Sequence, residues 1–128
     1  MQLAQQDSLN KLIYDNYISK PTLEMVKRVL KGESPSGIYK ITRLKTGEIY
    51  IGRSVDVKAR WIQHVKSAYH IGTIAHSILH TTMARDGIEN FTFELLERVQ
   101  KNDLSTREKY WIDFYGSNSY GLNEKAGG

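Results

Sequence analysis

The sequence contains no cysteine, and this absence excludes several chemistries at once. Without thiols the chain can form no disulfide, no thiolate zinc site and no cysteine nucleophile. No apolar run approaches the roughly 20 residues that a membrane-spanning helix needs. The opening residues also lack the basic and apolar regions of a secretory signal. Together these absences predict a cytoplasmic protein.

What is present describes a folded globular protein. A chain of 128 residues is long enough for one domain with a core and too short for two ordinary ones. Hydrophobic residues make up 40% and charged residues 25%, which is typical of a packed domain and not of a disordered tail. The net charge of +4 permits contact with a polyanion, although many basic enzymes bind no nucleic acid.

The first part of the chain is predicted to be helical. Apolar residues recur at helical spacing over residues 9–17 and again over residues 21–30, and Gly32 is a natural end for the second helix. A short polar linker follows. We therefore divide the chain into an N-terminal helical extension, residues 1–34, and a second unit, residues 35–128.

The remainder alternates between strand patterns and helix patterns. Strand patterns cover residues 37–43, 48–52 and 91–96, and helical patterns cover residues 57–69, 78–87 and 104–115. Residues 117–128 read as a loop. This order indicates an α/β protein of the α+β kind, in which helices pack against a small antiparallel sheet.

Two tripeptides, Gly-Ile-Tyr at 37–39 and Tyr-Ile-Gly at 50–52, flank a short turn that suits a β-hairpin. If the loop holds an even number of residues, Tyr39 lies opposite Gly52, and the two tyrosines share one face of the hairpin. If Gly47 forms a one-residue bulge, the register shifts and the tyrosines part to opposite faces. Both registers fit the sequence.

The order of these motifs resembles that of the GIY-YIG nuclease family. After the two tripeptides come segments similar to the family's arginine-bearing helix, middle helix, third strand, glutamate-bearing helix and closing asparagine, at residues 57–64, 84–87, 91–96, 107–112 and 121–123. The resemblance covers roughly residues 35–125 and is nearest to the nuclease domains of phage-type homing endonucleases. It implies a three-stranded antiparallel sheet flanked by helices, in a phage or bacterial protein.

Glu108 has two interpretations from its position alone. It shares a helical face with Leu104 and Trp111, which turns its carboxylate toward the core. With Ser105 three residues earlier, it also matches the capping box of a helix start. The resemblance to the family's Arg-Glu-x-x-Trp motif implies a metal ligand. A single carboxylate suits Mg²⁺ or Mn²⁺, which retain waters and take other ligands from a substrate phosphate.

Arg60 and His64 are four residues apart, so they project from the same side of the predicted helix, at the rim of its packed face. A guanidinium suits a phosphoryl centre because its planar fork donates two hydrogen bonds and stays charged. The pattern alone equally fits a solvated surface arginine, and the resemblance to the family's Arg-Trp pair implies a catalytic role for Arg60. His64 is either a catalytic phosphate contact or a structural rim histidine.

The tyrosines of the hairpin could serve in packing instead of catalysis, because strand tyrosines are commonly half-buried packing residues. A phenol has a pKa of about 10, so it acts as a base at neutral pH only with help from a cation or a metal. The resemblance implies that Tyr39 activates the attacking water and that Tyr50 positions the water or the phosphate.

Further residues are predicted to support the site. Gly37 and Gly52 leave room for close packing or for a phosphate, and Asn123 resembles the family's asparagine, with the role of a buried hydrogen-bonding strut. His76 is a further candidate, as the histidine nearest the start of the middle helix. His76 and His80 lie one turn apart, but no third and fourth ligand for zinc is evident.

The sequence therefore predicts a metal-dependent DNA endonuclease that uses one Mg²⁺ or Mn²⁺ and cuts one strand per active site. In this hypothesis Arg60 stabilises charge on the phosphate, and the ion on Glu108 stabilises the leaving oxygen. The alternative is a non-catalytic nucleic-acid-binding module on the same fold. No DNA-reading motif is recognised, so sequence recognition is expected from residues 1–34 or from a region absent from this chain.

Overall fold

A computed structural model describes residue 30, residues 33–69 and residues 77–123 of the chain. The helices predicted over residues 9–17 and 21–30 lie outside the described residues, apart from Leu30, which is helical and buried. The division of the chain at residue 34 thus stays a prediction. Within the described ranges, no helix combines the length and the apolar character needed to cross a membrane.

The described fold is built on a three-stranded antiparallel sheet. Strands β1 (Gly37–Arg43), β2 (Ile49–Ser54) and β3 (Phe91–Arg98) lie in the order β2-β1-β3. The central strand β1 is rich in aromatic and β-branched residues, which suit a pleated surface that is packed on both sides. The predicted α+β class with a three-stranded antiparallel sheet is confirmed.

Within residues 33–69 and 77–123, four α-helices accompany the sheet. They are α1 (Val57–Tyr69), α2 (Ile78–Asp86), α3 (Leu104–Tyr115) and α4 (Ser117–Tyr120). The first three occupy the segments that their apolar spacing predicts. Helix α4 lies in the stretch that was predicted to be a loop, so that prediction is wrong for residues 117–120. The carbonyl of Gly116 accepts hydrogen bonds from the backbone N–H groups of Ser119 and Tyr120, at 3.1 and 2.8 Å. Ser117 is the only buried residue of α4, so the sequence of α4 shows no apolar periodicity from which a helix could be predicted.

The hairpin adopts the register that places both tyrosines on one face. Tyr39 pairs with Gly52, and Ile41 pairs with Tyr50. Gly47 takes the left-handed region at φ 79°, and its N–H donates to the carbonyl of Arg43 at 2.7 Å, so it closes the turn without shifting the paired register. We call the side of the sheet that carries the two tyrosines the first face and the opposite side the second face.

A bulge lies on the other side of β1, in β3. Ile38 pairs with Glu97 whereas Tyr39 pairs with Leu95, so Leu96 is an extra residue. Because one inserted residue reverses the alternation of side chains, the bulge moves Glu97 to the second face. There its carboxylate accepts hydrogen bonds from Arg107 Nε, at 2.8 Å, and from the indole N–H of Trp111, at 3.1 Å. The bulge thereby links β3 to helix α3.

Each face of the sheet has its own hydrophobic core. Helices α1 and α2 cover the first face, where the buried residues include Tyr39, Ile41, Trp61, Val65, Met83 and Phe93. Helix α3 covers the second face, where the buried residues are Ile38, Ile51, Val99, Leu104 and Ile112. The sheet is therefore the middle layer between two sets of helices, and residues that alternate along one strand reach different layers.

The free edge of β2 is held by the segment that follows α4. The side chain of Asn123 bonds to both backbone groups of Ile51. Its Oδ1 accepts from the N–H at 2.8 Å, and its Nδ2 donates to the carbonyl at 2.9 Å. The hydroxyl of Ser117 donates to the same Oδ1 at 2.6 Å. Asn123 is only 2% exposed, so these bonds are shielded from water. The amide thus stands in for a neighbouring strand.

We predict that Asn123→Ala lowers the free energy of unfolding by about 1–3 kcal/mol, because it leaves two buried backbone groups of β2 without partners. Asn118→Ala is the matched control, since Asn118 is exposed on α4. Urea unfolding followed by circular dichroism measures both. Equal stabilities for the two variants would contradict the role given to the Asn123 amide.

Candidate active site

The candidate site begins with the two phenols of the hairpin. On the first face the rings of Tyr39 and Tyr50 lie with their centroids 6.3 Å apart. Tyr39 has no exposed surface, and Tyr50 is 8% exposed. Side chains at diagonal positions of an antiparallel pair are near enough to share one ligand. The hairpin register therefore creates a pair of phenols in which Tyr50 is the one that touches solvent.

The two glycines of the tripeptides each allow a close approach. A Cβ on Gly52 would lie 2.3 Å from the hydroxyl oxygen of Tyr39, so the phenol ring occupies the space that a side chain would fill. A Cβ on Gly37 would lie 2.2 Å from the carbonyl oxygen of Glu97, so the backbones of β1 and β3 meet there. Gly52 therefore leaves space for the Tyr39 ring in the site, whereas Gly37 allows β1 and β3 to pack closely in the sheet.

Helix α1 lies across these phenols and supplies three more side chains. Its start is capped by Asp56, whose carboxylate accepts from the N–H of Ala59 at 3.0 Å. Trp61 is fully buried and meets Tyr39 edge to face, with centroids 6.0 Å apart. This contact fixes the rotation of the helix. Arg60 and His64 flank Trp61 on the same helix.

His64 is buried, and the prediction of a position at the rim is wrong. Its side chain is 1% exposed, and Nε2 lies 2.6 Å from the hydroxyl oxygen of Tyr39. The ring also packs against Tyr50, with centroids 5.4 Å apart. The helical pattern could not show this burial, because the space around the imidazole is made by tyrosines from the two strands.

The second ring nitrogen of His64 contacts a histidine that the motifs did not indicate. Nδ1 of His64 lies 2.8 Å from Nε2 of His80, which comes from the first turn of α2 and is partly exposed. No spacing in the sequence signals this contact, since it depends on how α1 and α2 pack together. His76, the histidine of this region that the sequence favoured, lies outside the described residues.

Arg60 is partly exposed at the side of this cluster, and its Nη1 donates to Gln63 at 2.8 Å. Its positive charge acts on all three buried rings. It opposes the rise in the pKa of Tyr39 and of Tyr50, and it adds to the fall in the pKa of His64. A cation that stabilises a neighbouring phenolate in this way can also face a phosphate.

Burial nevertheless dominates these ionisations. It raises the pKa of Tyr39 well above the usual value, with a further rise from Tyr50, and it also raises the pKa of Tyr50. It lowers the pKa of His64 well below the usual value, and the charges of Arg60 and His80 add to that effect. At neutral pH, therefore, the buried rings of Tyr39, Tyr50 and His64 are uncharged.

Glu108 lies on α3, which packs on the second face. It is 3% exposed, between Leu104 and Ile112 on the buried stripe of the helix. The helix begins at Leu104 after the N-cap residue Asp103, so Ser105 is inside the helix and the capping-box interpretation of Glu108 is wrong. The carboxylate is near enough to Tyr39 and Tyr50 to raise the pKa of both phenols. The site thus draws on both faces of the sheet.

The carboxylate of Glu108 has the features of an incomplete cation site. Its Oε1 is buried and accepts no hydrogen bond from the described residues. Its charged neighbour is Arg53, a residue of β2 that the motifs did not indicate, with Nε at 3.7 Å. Burial raises the pKa of Glu108 to about 7, and Arg53 opposes that rise. An oxygen donor without a bonding partner fits a hard divalent cation.

The described residues contain no group of three or more His, Cys, Asp or Glu side chains that could hold a metal ion. An ion on Glu108 would therefore take most of its ligands from water and from a bound phosphate. Mg²⁺ is commonly held in this manner, by one or two carboxylates together with substrate oxygens. The arrangement fits a single weakly held ion of the magnesium type.

Comparison with known proteins now identifies the family. A family model described as the GIY-YIG catalytic domain matches residues 35–121. The chain belongs to the GIY-YIG catalytic domain family. It is accordingly a nuclease, a hydrolase acting on phosphodiester bonds, and the resemblance seen in its motifs is confirmed. A comparison with curated proteins gives no significant match.

Two solved structures share this fold. One is the catalytic domain of the intron endonuclease I-TevI in a glutamate-to-alanine mutant, which is 27% identical with a TM-score of 0.64 and covers 72% of this chain and 95% of that chain. The other is the catalytic domain of the homing endonuclease I-TevI, which is 26% identical with a TM-score of 0.60 and covers 70% of this chain and 98% of that chain. These GIY-YIG matches support a DNA endonuclease.

The close contact at Gly52 gives a stability prediction. We expect Gly52→Ala to cost about 1–3 kcal/mol, because the new methyl group overlaps the phenol of Tyr39. In a Tyr39→Leu background, which removes the overlapping ring atoms, the same substitution should cost much less. A double-mutant cycle by urea unfolding measures the coupling. An equal cost in both backgrounds would show that the phenol does not lie on Gly52.

The raised pKa of Glu108 gives a prediction about pH. The pKa of Glu108 in the folded protein is about 7, above the usual value of 4.5, so the folded state binds the carboxyl proton more tightly than the unfolded state does. The protonated carboxyl therefore adds to the free energy of unfolding below pH 4.5, and this contribution is lost as the pH rises from 4.5 to 7. Glutamine resembles the protonated acid at every pH. After allowance for solvent screening, we expect Glu108→Gln to be more stable than the parent by about 1–2 kcal/mol at pH 8.

This gain should be small at pH 5, and thermal unfolding in EDTA at the two pH values measures it. Glu89→Gln is the matched control, since Glu89 is exposed and its substitution should change stability little at either pH. A Glu108→Gln variant whose stability relative to the parent is the same at pH 5 and pH 8 would contradict the burial of an acid whose Oε1 accepts no hydrogen bond from the described residues.

Proposed function

We propose that the chain is a metal-dependent DNA endonuclease that cuts one strand per active site, with Tyr39, Tyr50, Arg60, His64 and Glu108 as its catalytic residues. One observation carries the proposal. Two phenols, an imidazole and a guanidinium meet on the first face, and a buried carboxylate on the second face is close enough to influence both phenols. The family match and the similarity to the catalytic domain of a homing endonuclease support DNA as the substrate.

Arg60 is the proposed phosphate-stabilising residue. It is partly exposed, so a phosphodiester can reach its guanidinium, and the buried rings beside it provide a wall of low polarity. Fixed cations in such surroundings stabilise developing charge more strongly than they do in water. As the attacking oxygen approaches phosphorus, negative charge grows on the non-bridging oxygens, and Arg60 donates hydrogen bonds to them.

Tyr39 and Tyr50 are proposed to orient and deprotonate the attacking water. Tyr50 keeps some exposed surface and orients the water and the phosphate. Tyr39 takes the water's proton after giving its own to His64, whose Nε2 is 2.6 Å away. Because Tyr39 has no exposed surface in this structure, the side chains at the mouth of the site must part when DNA binds. The water oxygen then bonds to phosphorus, and the bond from phosphorus to the leaving oxygen breaks.

Glu108 is the proposed ligand for one Mg²⁺ or Mn²⁺, through the buried Oε1 that accepts no hydrogen bond from the described residues. When bound, such an ion supplies positive charge to the leaving oxygen. Arg53, 3.7 Å from this carboxylate and 43% exposed at its side chain, can turn toward a DNA phosphate when a cation replaces it. The described residues contain one set of the proposed catalytic groups, so each binding of DNA cuts one strand.

The test is cleavage of a supercoiled plasmid with Mg²⁺ or Mn²⁺. The parent should convert the plasmid to the open circle before any linear product appears, and EDTA should stop the reaction. We expect Glu108→Ala and Arg60→Ala each to lower the rate by at least about 100-fold, since each removes charge stabilisation of the transition state. The matched controls Glu89→Ala and Arg85→Ala alter exposed residues and should cut at the parent rate.

Each part of the proposal has a result that overturns it. Cutting in EDTA removes the metal requirement, and undiminished cutting by Glu108→Ala removes that residue from the mechanism. Linear product without an open-circle intermediate argues against one strand per engagement. Salt-sensitive DNA binding without cleavage by the parent would favour the non-catalytic binding module.

A further inference from the structure

Three side chains from three elements form one hydrogen-bonded row. The hydroxyl oxygen of Tyr39, from β1, lies 2.6 Å from Nε2 of His64, from α1. Nδ1 of His64 lies 2.8 Å from Nε2 of His80, from α2. Tyr39 and His64 are buried, whereas His80 is partly exposed. The row therefore leads from the most buried group of the site toward the surface.

The row constrains where its protons lie. A neutral imidazole has one N–H donor and one bare nitrogen acceptor, and both nitrogens of His64 are engaged. In one arrangement Tyr39 donates to Nε2 of His64, and Nδ1–H of His64 donates to His80. In the other, every donor and acceptor in the row is exchanged. The two arrangements differ by the passage of one proton along the row.

We propose that His80 is a positioning residue for phosphodiester hydrolysis, which holds His64 in the tautomer that accepts the Tyr39 proton and carries that proton out of the core. This inference rests on the function proposed above. The motif segments on which the resemblance was based do not include residue 80, and the part of His80 in the site follows from the packing of α2 on α1 and from the contact with His64.

The proton balance closes without any other reactant. The O–H bond of Tyr39 breaks as an N–H bond forms at Nε2 of His64. The Nδ1–H bond of His64 breaks as an N–H bond forms at Nε2 of His80. His80 then releases its Nδ1 proton to solvent water. Tyr39 is left as a phenolate, takes a proton from the attacking water and becomes a phenol again, so one water proton reaches solvent, and the departing oxygen takes up one proton from solvent. His64 and His80 are then in the exchanged tautomers. They return to the first arrangement when water supplies a proton to Nδ1 of His80, the Nε2 proton of His80 passes to Nδ1 of His64, and Nε2 of His64 gives its proton to water.

The surroundings of His64 favour transfer through this ring over storage of the proton on it. Among the described residues, the groups that face it are Tyr39 from β1, Tyr50 from β2, Arg60 from its own helix and His80 from α2. Burial, with the charges of Arg60 and His80, holds the pKa of His64 well below its usual value. An imidazolium at this position is therefore short-lived, and a second acceptor at Nδ1 gives the proton a path outward.

The tautomer of His64 is the first test, and it needs no DNA. In protein with ¹⁵N-labelled histidine at pH 8, nuclear magnetic resonance should show His64 with its proton on Nδ1. His80→Gln should keep this tautomer, because the amide oxygen can accept from Nδ1–H. His80→Leu, which has no acceptor, should lose the preference. A proton on Nε2 in the parent, or an unchanged tautomer in His80→Leu, would overturn the positioning role.

The second test separates positioning from proton transport. In plasmid cleavage, His80→Leu and His80→Gln should both be slower than the parent by about 10- to 100-fold, because neither side chain can take up a proton. Added imidazole should restore much of the rate to His80→Ala. Thr81→Ala, an exposed change on the same helix, is the control and should cut at the parent rate.

The outcomes distinguish the two proposals. If the parent does not cut DNA with either metal, the proposed function fails. If the parent cuts and the three His80 variants cut equally well, the function stands and the role of His80 is wrong. Slow His80 variants that imidazole does not rescue would also overturn proton transport. Circular dichroism spectra that match the parent confirm that each variant is folded.

Discussion

The pairing of Tyr39 with Gly52 across the hairpin is the constraint on which the candidate site depends. It places the two phenols on one face of the sheet, and the missing side chain of Gly52 leaves the space in which the Tyr39 ring lies. Trp61 and His64 then pack against that ring. Because a shift of one residue would send every side chain of β2 to the other face, a small change in register would dismantle the whole arrangement.

Around this pairing the molecule separates neutral groups from charged ones. The buried phenols and imidazole stay uncharged because water is excluded from them, whereas the charge of Arg60 lies at the partly exposed side. The carboxylate of Glu108 reaches the same region from the second face, at the cost of an unfavourable buried charge. The sheet thus lets two layers with separate cores contribute side chains to one site. Electrostatic interactions between these side chains are stronger than they would be in water, because the protein excludes solvent from the space between them.

The sequence predicted the elements well and their contacts less well. Strand alternation and helical spacing are local properties, so they located the sheet and the three longer helices. The register could not be decided, since Gly47 fits either a simple turn or a bulge. Leu96 is the extra residue of the β3 bulge, yet nothing in its side chain marks it as such. The burial of His64 and its contact with His80 arise from the packing of separate elements, which no pattern within one helix can express.

The amide of Asn123 has a consequence beyond the site. An edge strand carries unpaired donors and acceptors that can recruit a strand from another molecule, which is a common route to aggregation. On β2 the two outward groups of Ile51 are already taken by that amide, and the carbonyl of Ile49 accepts from the N–H of Leu122 at 2.9 Å. Leu122 and Asn123 therefore occupy the outer edge of β2 at Ile49 and Ile51, beside Tyr50, and a strand from another molecule cannot pair at those positions.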